Sequence, residues 1–501
     1  MKIVRIICKL YSILVNKHRQ LIVLSFTAIK KVRMLNLFLR SGSMEKTKTD
    51  SLIERDQSNV WHHISPYVDE NPAMIAVKGE GSWIIDYDGN RYLDGMSGLW
   101  CVNIGYGREE LAKAAYEQMK ELCYMPLTQS HIPAIKLAEK INEWLEGEYM
   151  IFYSNSGSDA NEVAFKLIRQ YHQQNGEHGR FKFISRHRAY HGSSMGALSA
   201  TGQALRKYKY EPLASGFLHI SPPDSYRRPD NMSIEAFHSM LMEELERKII
   251  WEQKETIAGV IMEPLITGGG VLIPHPSYLE KVQELCEKYG ILLIMDEVIC
   301  GFGRTGKKFG HQHFNIKPDI VTMAKGLTSA YLPLSVTAVK KEIFEKFKGT
   351  EENVHFRHIN TFGGNPSSCA VALKNLEILE KENLVEKSAQ SGIYLLEHLK
   401  NGLHSHPNVG DIRGLGLVLG IELVEDKFTK VPVSSKYMAK IVAECKKEGL
   451  IIGKNGDTVD GYNNILTLSP PLSSTEDDLN FIISVLRKVL QNNQSTQKVL
   501  S

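Results

Sequence analysis

Residues 291–306 read ILLIMDEVICGFGRTG. The last six match Gly-x-Gly-x-x-Gly, a spacing that lets a backbone approach a pyrophosphate at a helix N-terminus. That chemistry needs strand, glycine loop and helix in direct succession. Here the apolar run ends near Met295, and Asp-Glu-Val-Ile-Cys intervenes before Gly301. After Gly306 the chain continues KKFGHQHFNIKP, which has no helical apolar period. A Walker loop fails too, because Lys307 is followed by Lys308 and not by Ser or Thr. The glycine match is coincidental, and the acid before it is the residue of interest.

Asp296 ends a buried-strand pattern, at the edge where open α/β sheets bind ligands. A carboxylate there is costly to desolvate unless a positive group meets it. Further on, DIVTMAKGLTSAYLPLS puts Lys325 just past another apolar strand, beside Gly326. Partial desolvation there lowers the lysine pKa and makes its amine a usable nucleophile. A third stretch, YSNSGSDANEVAFKLIRQYH, reads as a strand, a turn over 154–158 and a helix from Asp159. Free N–H groups at that helix start, with the Ser156 and Ser158 hydroxyls, form an anion site. Each feature alone has a bland explanation: an acid paired with an arginine, a solvated lysine, an ordinary N-cap. Together they are the three contacts that pyridoxal phosphate requires, namely an aldehyde-reactive amine, an acid for the ring nitrogen and a phosphate cradle.

These residues must be positioned by strands and helices in alternation. The pattern predicts strands over 151–154, 181–185, 257–262, 290–296 and 319–323, and helices over 108–123, 132–146, 159–173 and 278–289. Such alternation argues for an α/β fold with a mostly parallel central sheet. Residues 75–95 read as a short meander with a turn at Asp88-Gly89-Asn90. After about residue 350 two long helices (367–384 and 384–404), strand material over 414–425 and helices near 435–448 and from 475 suggest a smaller α+β domain. The expected division is a basic extension over 1–43, an N-terminal part of the small domain over 44–95, a large domain over 96–349 and the rest of the small domain over 350–501. The meander is expected to pack with the C-terminal part, since so short a sheet cannot bury its apolar face alone.

Composition excludes several classes. With 501 residues, 43% hydrophobic and 23% charged, the chain reads as globular. Its seven cysteines are widely spaced and lack a C-x-x-C pair, which argues against a zinc site or disulfide framework. Residues 1–43 hold nine Lys or Arg and no Asp or Glu; without them 51 basic face 57 acidic residues. The net charge of +3 therefore gives no case for nucleic-acid binding. No apolar stretch reaches the roughly 20 residues that span a bilayer. For residues 1–43 the reading favoured over a targeting segment is a start placed too early, with Met44 first and a cytoplasmic protein.

The residues that carry the chemistry also carry a resemblance. SNSGSDANEVAFKLIR, YHG at 190–192, IMEPLITGGG at 261–270, LLIMDEVICGFGRTG, DIVTMAKG and NTFGGNPSSCA at 360–370 are similar to class III (omega-type) pyridoxal-phosphate-dependent aminotransferases of fold type I, over roughly residues 50–490. The resemblance implies that Lys325 carries the cofactor covalently and that Asp296 pairs with its ring nitrogen. It implies that Val298 and Tyr190 cover the two ring faces, and that Gly157 and Ser158 bind the phosphate. Thr361 is similar to the residue that reaches the neighbouring subunit's phosphate, which implies a homodimer with shared active sites. Arg413, in DIRGLGL, resembles the arginine that clasps a keto acid's carboxylate; a guanidinium suits that bidentate role.

Trp100 and Tyr124 are expected to line the amine pocket with Tyr190. An aromatic pocket beside one arginine suits an ω-amine on a chain ending in an acid, with taurine- and β-alanine–pyruvate aminotransferases as the nearest type. Alternatives are a diaminopelargonate-type aminotransferase of biotin synthesis and a non-transaminase enzyme of the same fold.

Overall fold

The computed structural model describes residues 48–64, 73–456, 458 and 461–494. The basic segment 1–43, with its expected misplaced start, lies outside the described residues. The chain divides into two units, residues 1–75 and 76–501. The described part of the first is the helix Lys48–Asn59 and the turn after it, where His62 Nε2 and Asp56 Oδ2 are 2.7 Å apart.

In the second unit β1 (Ala76–Glu80), β2 (Trp83–Asp86) and β3 (Arg91–Asp94) form the meander. The turn between β2 and β3 is held by Asp86, which accepts from the backbone N–H groups of Asp88 and Asn90. Then come the strands of the central sheet: β4 (Tyr149–Ser154), β5 (Lys182–Arg186), β6 (Phe217–Ile220), β7 (Ile257–Met262), β8 (Leu292–Asp296), β9 (Ile320–Met323) and β10 (Ser335–Lys340). Their spatial order is β4-β10-β9-β8-β7-β5-β6. Neighbours run parallel except around β10, which is antiparallel to both β4 and β9. The expected mostly parallel sheet is present, with one reversed strand inside it.

Helices cover both faces, so β7 and β9 are buried at every position and read as unbroken apolar runs. The helix Gly157–Gln174 lies against β9 and β10 and buries Val163, Ala164, Leu167 and Ile168. Tyr278–Tyr289 packs on Ile234–Trp251. Among the elements that escape the sequence pattern are β6, β10 and the helix Ile234–Trp251. For β6 the reason is visible, since its four residues are mostly half-buried and show no alternation.

The C-terminal strands are β11 (Val409–Gly414), β12 (Leu419–Leu423), β13 (Leu450–Ile451), β14 (Gly453–Lys454) and β15 (Ile465–Leu468). They make a second sheet, β11-β12-β15-β14, while β13 joins the meander and runs parallel to β3. Pairing of Leu450 with Leu93 thus ties the two ends of the unit. The helices Pro366–Lys381, Leu384–Leu403, Ser435–Lys447 and Glu476–Asn492 complete it, the last capped by a reciprocal Thr475–Asp478 pair. Among the described residues, no helix is long and apolar enough to cross a membrane.

Candidate active site

Because β4, β8 and β9 run the same way, their carboxyl ends emerge on one edge of the sheet, and Asp296 and Lys325 sit on adjacent strands there. A cavity of about 160 Å³ opens at that edge, and its wall brings together Lys325, Asp296, Val298, Tyr190, Gly157 and Ser158.

Lys325 lies one residue beyond the end of β9, after Ala324, and opens a single 3₁₀ turn with φ 44°. The next residue must be small: a Cβ on Gly326 would collide with Asn103 Nδ2, which is itself held by the Phe302 carbonyl. Burial pushes the Lys325 ammonium below the ordinary lysine value, and nearby Cys101, Asp296, Glu263 and Cys300 act the other way. Among the described residues no hydrogen bond or ion pair holds its amine.

Asp296 is held on both oxygens. Oδ1 accepts from Val298 N at 3.1 Å; Oδ2 accepts from Asn161 Nδ2 at 2.9 Å and faces His191 Nδ1 at 2.8 Å. Asn161 also donates to the His191 carbonyl at 2.6 Å, which closes the frame. One strand over, Glu263 ends β7 almost wholly buried. It accepts from Tyr190 N at 3.1 Å and from Thr267 N and Oγ1 at 3.0 and 2.7 Å. Burial raises its carboxyl pKa, Asp296 adds to the rise, and His191 and Thr267 oppose it. Asn161, His191 and Glu263 do not stand out in the sequence, because nothing in the spacing of residues 161, 191, 263 and 296 says that they meet.

The helix Gly157–Gln174 starts with a reciprocal cap. Ser156 Oγ accepts from Asp159 N at 3.2 Å, and Asp159 Oδ2 accepts from Ser156 N at 3.0 Å. Ser156 Oγ acts as acceptor in this cap, its O–H remains a donor, and the residue lies in the cavity wall. The N–H groups of Gly157 and Ser158 remain at the cavity wall with the positive end of the helix dipole. Gly157 permits close approach: a Cβ there would lie 3.0 Å from both Val298 methyls. Ser158 Oγ accepts from Ser193 N at 3.1 Å, and the Tyr190 hydroxyl is 2.9 Å from Ser193 Oγ.

The glycine fingerprint has a packing role. Arg304 is fully buried and bonds to the carbonyls of Leu417 and Pro470 and to Asn103 Oδ1. A Cβ on Gly306 would lie 2.8 Å from Ala389 Cβ, so the loop's glycines admit the C-terminal residues. Glu297 accepts from the N–H groups of Gly310 and His311 and faces His311 Nδ1.

Four predicted residues are not in this wall. Trp100 is buried one layer back with Met96, Val271 and Val418, and its neighbour Leu99 takes the wall position. Tyr124 donates to the Thr361 carbonyl at 2.8 Å. Both sit at an exposed surface with Ile359 and Phe362, which are 72% and 64% exposed. Thr361 lines a separate cavity of about 220 Å³ with Leu127, Tyr153 and Asn360.

Arg413 lies elsewhere in this structure, beside Asp224, Leu272 and Asp411. Its Nε donates to the carbonyls of Gly270 and Val271, Nη2 to Gly270, and Nη1 to Asp411 and Glu422 at 2.7 and 2.9 Å. In this structure the guanidinium donors are engaged in this way, and Arg413 is not among the residues of the Lys325 cavity wall. It joins β11 and β12 to the loop after β7.

The model of the family "Aminotransferase class-III" matches residues 64–490. The chain is 60% identical to an uncharacterized aminotransferase of Bacillus subtilis, YhxA, over 89% of its own length and 97% of the relative's. It is 44% identical to a taurine–pyruvate aminotransferase of Bilophila wadsworthia, over 87% and 96%. Among solved structures, the omega transaminase of Pseudomonas jessenii in complex with PMP superposes with a TM-score of 0.83 at 35% identity, covering 88% of this chain and 98% of that one. Sequence, fold and site therefore agree that the chain belongs to the class III aminotransferases, pyridoxal-phosphate-dependent enzymes of fold type I.

Proposed function

We propose that the chain moves an amino group from an ω-amino acid donor, of the taurine or β-alanine type, to pyruvate, with pyridoxal phosphate held in the Lys325 cavity. The observation that carries this reading is the meeting of Lys325, Asp296 and the Gly157–Ser158 helix start in one wall. The residues fit the cofactor. An unheld amine with a lowered pKa faces a buried carboxylate fixed by Asn161 and His191, and a helix N-terminus stands open beside them.

In this reading Lys325 Nζ would be the point of covalent attachment, the Asp296 carboxylate would hold the proton of the ring nitrogen, and Val298 and Tyr190 would bound the ring's faces. The backbone N–H groups of Gly157 and Ser158, with the Ser158 hydroxyl, receive the phosphate. Bound cofactor supplies an electron sink for the carbanion formed at the donor's amine-bearing carbon. Lys325 Nζ would accept the proton from that carbon, and its depressed pKa favours the neutral, basic form. The Asn161–His191 frame would keep the Asp296 carboxylate oriented.

The acid donor and pyruvate are supported by the taurine–pyruvate relative at 44% identity. A homodimer is supported by the exposed Ile359 and Phe362 beside Thr361, which in this reading reaches the partner's phosphate. The test is the visible spectrum of the purified enzyme before and after taurine, β-alanine, lysine and S-adenosylmethionine singly. Bleaching of the cofactor band by taurine or β-alanine, reversed by pyruvate, is expected. Bleaching by S-adenosylmethionine or lysine alone would contradict the donor class, and no band after added pyridoxal phosphate would contradict the whole reading.

A further inference from the structure

Tyr190 is half-buried in the wall of the Lys325 cavity and is gripped at three points. Its backbone N–H donates to Glu263 Oε1 at 3.1 Å, and its hydroxyl lies 2.9 Å from Ser193 Oγ. The third grip comes from outside that wall: the guanidinium carbon of Arg206 lies over the ring, 5.0 Å from its centroid. We propose that Arg206 is a positioning residue for amino transfer, which sets the plane of the Tyr190 ring against the bound cofactor. The proposal rests on the reading that Tyr190 bounds one face of the pyridoxal phosphate ring.

Local backbone pairing builds the contact. The Gly202 N–H donates to the Ala189 carbonyl and the Gly202 carbonyl accepts from the Arg188 N–H, each at 2.8 Å. A Cβ at 202 would collide with the Arg186 carbonyl, so a glycine is what lets the two segments lie this close. The pairing brings residues 203–206 beside 188–190. Gln203, 1% exposed, then bridges them: its Nε2 donates to the Arg188 carbonyl at 3.1 Å, and its Oε1 accepts from Arg206 Nε at 2.6 Å. The Arg206 N–H donates to the Gln203 carbonyl at 3.2 Å. Backbone and side chain of Arg206 are therefore both anchored on a buried glutamine, with the guanidinium over the Tyr190 ring.

The first two grips leave one freedom that the third removes. The Glu263 bond fixes the Tyr190 backbone, and Ser193 holds the hydroxyl at the far end of the ring. Both points lie near the axis from Cβ to the hydroxyl, so neither opposes rotation of the ring about that axis. A cation over the face does oppose it, because the ring quadrupole attracts positive charge at the face and repels it at the edge. A side chain that covers a cofactor ring must present its own ring at a fixed tilt, and Arg206 supplies that constraint.

The test compares wild type, Arg206→Met and Arg206→Lys by the dissociation constant of pyridoxal phosphate, from equilibrium dialysis, and by the circular dichroism of the holoenzyme's visible band. Arg206→Met keeps an unbranched side chain without the charge; it should weaken cofactor binding about threefold to tenfold and diminish the dichroic band. Arg206→Lys keeps a cation and should recover about half of both losses or more. In a Tyr190→Leu background Arg206→Met should change neither quantity, since the ring it acts on is gone. Wild-type affinity and dichroism in Arg206→Met, a lysine variant as impaired as the methionine one, or an equal loss in the Tyr190→Leu background would each overturn the proposal while the cofactor site stands. A wild type without a visible band after added pyridoxal phosphate would overturn the cofactor reading, and the proposal with it.

Discussion

Lys325 and Arg413 are both cations that the sequence marks as site residues, and the fold treats them in opposite ways. Lys325 stands at the carboxyl edge of β9 with its amine held by no described neighbour, and burial depresses its pKa. Arg413, on β11, is surrounded by two backbone carbonyls and two carboxylates, and those acids hold its pKa up despite burial. The first arrangement leaves a reactive group available. The second takes up a guanidinium's donors in joining three segments. A cation's part in chemistry depends on what it has left to offer, which a motif does not state.

The comparison can be broken most sharply at Lys325. Lys325→Ala should lower turnover with any amine donor by at least about 10³-fold, since it removes both the attachment point and the base. Its Tm should hold or rise, because a desolvated ammonium is lost. An active Lys325→Ala enzyme would contradict the assignment. Next comes Asp296→Asn, which keeps the shape and removes the charge facing the ring nitrogen; a loss of roughly 10²–10³-fold in kcat is expected. A change in KM alone would show that the carboxylate acts in binding only.

Arg413→Gln should behave quite differently. It leaves Asp411 and the fully buried Glu422 without their shared partner, a defect of about 3–5 kcal/mol for a buried pair, read as a fall in Tm or in the denaturation midpoint. The KM for pyruvate should stay near the wild-type value. A stable variant with a selectively raised KM would restore the carboxylate-clasping role.

How much of this is legible in the sequence varies with the range of the interaction. Asp296, Lys325 and the Gly157 helix start are readable because each is a local event: an apolar strand ending in a special residue, or a serine-rich turn entering a helix. The parallel sheet follows from alternation, and β7 and Tyr278–Tyr289 fall where the pattern puts them. The frame of Asn161, His191 and Glu263 is not readable, because it depends on strand order, and β4-β10-β9-β8-β7-β5-β6 is not implied by any local pattern. Trp100 reads as a wall residue, yet the kinked turn at 97–100 turns it inward and leaves Leu99 facing the cavity.

Two titrations sharpen the comparison at lower amplitude. Capture of pyridoxal phosphate by the cofactor-free chain needs neutral Lys325, so its rate should rise with pH and level off below the ordinary lysine value of 10.5. A midpoint at 10.5, followed by stopped-flow absorbance, would show an ordinary solvated amine. Glu263 has the opposite sign. Its folded carboxyl keeps a proton above the ordinary value of 4.5, so the folded state binds more protons than the unfolded one in that window. Stability of the cofactor-free chain should therefore fall as pH rises from 4.5 through the folded pKa, by at most about 1.4 kcal/mol per pH unit. Glu263→Gln should flatten that slope, measured by urea denaturation across the window; an unchanged slope would assign it to another group.

The most direct test is to reduce the holoenzyme with borohydride, digest it and map by mass spectrometry the lysine that retains the cofactor. The account predicts the label on the peptide containing Lys325 and nowhere else. A label on another lysine, with Lys325 unmodified, would contradict it.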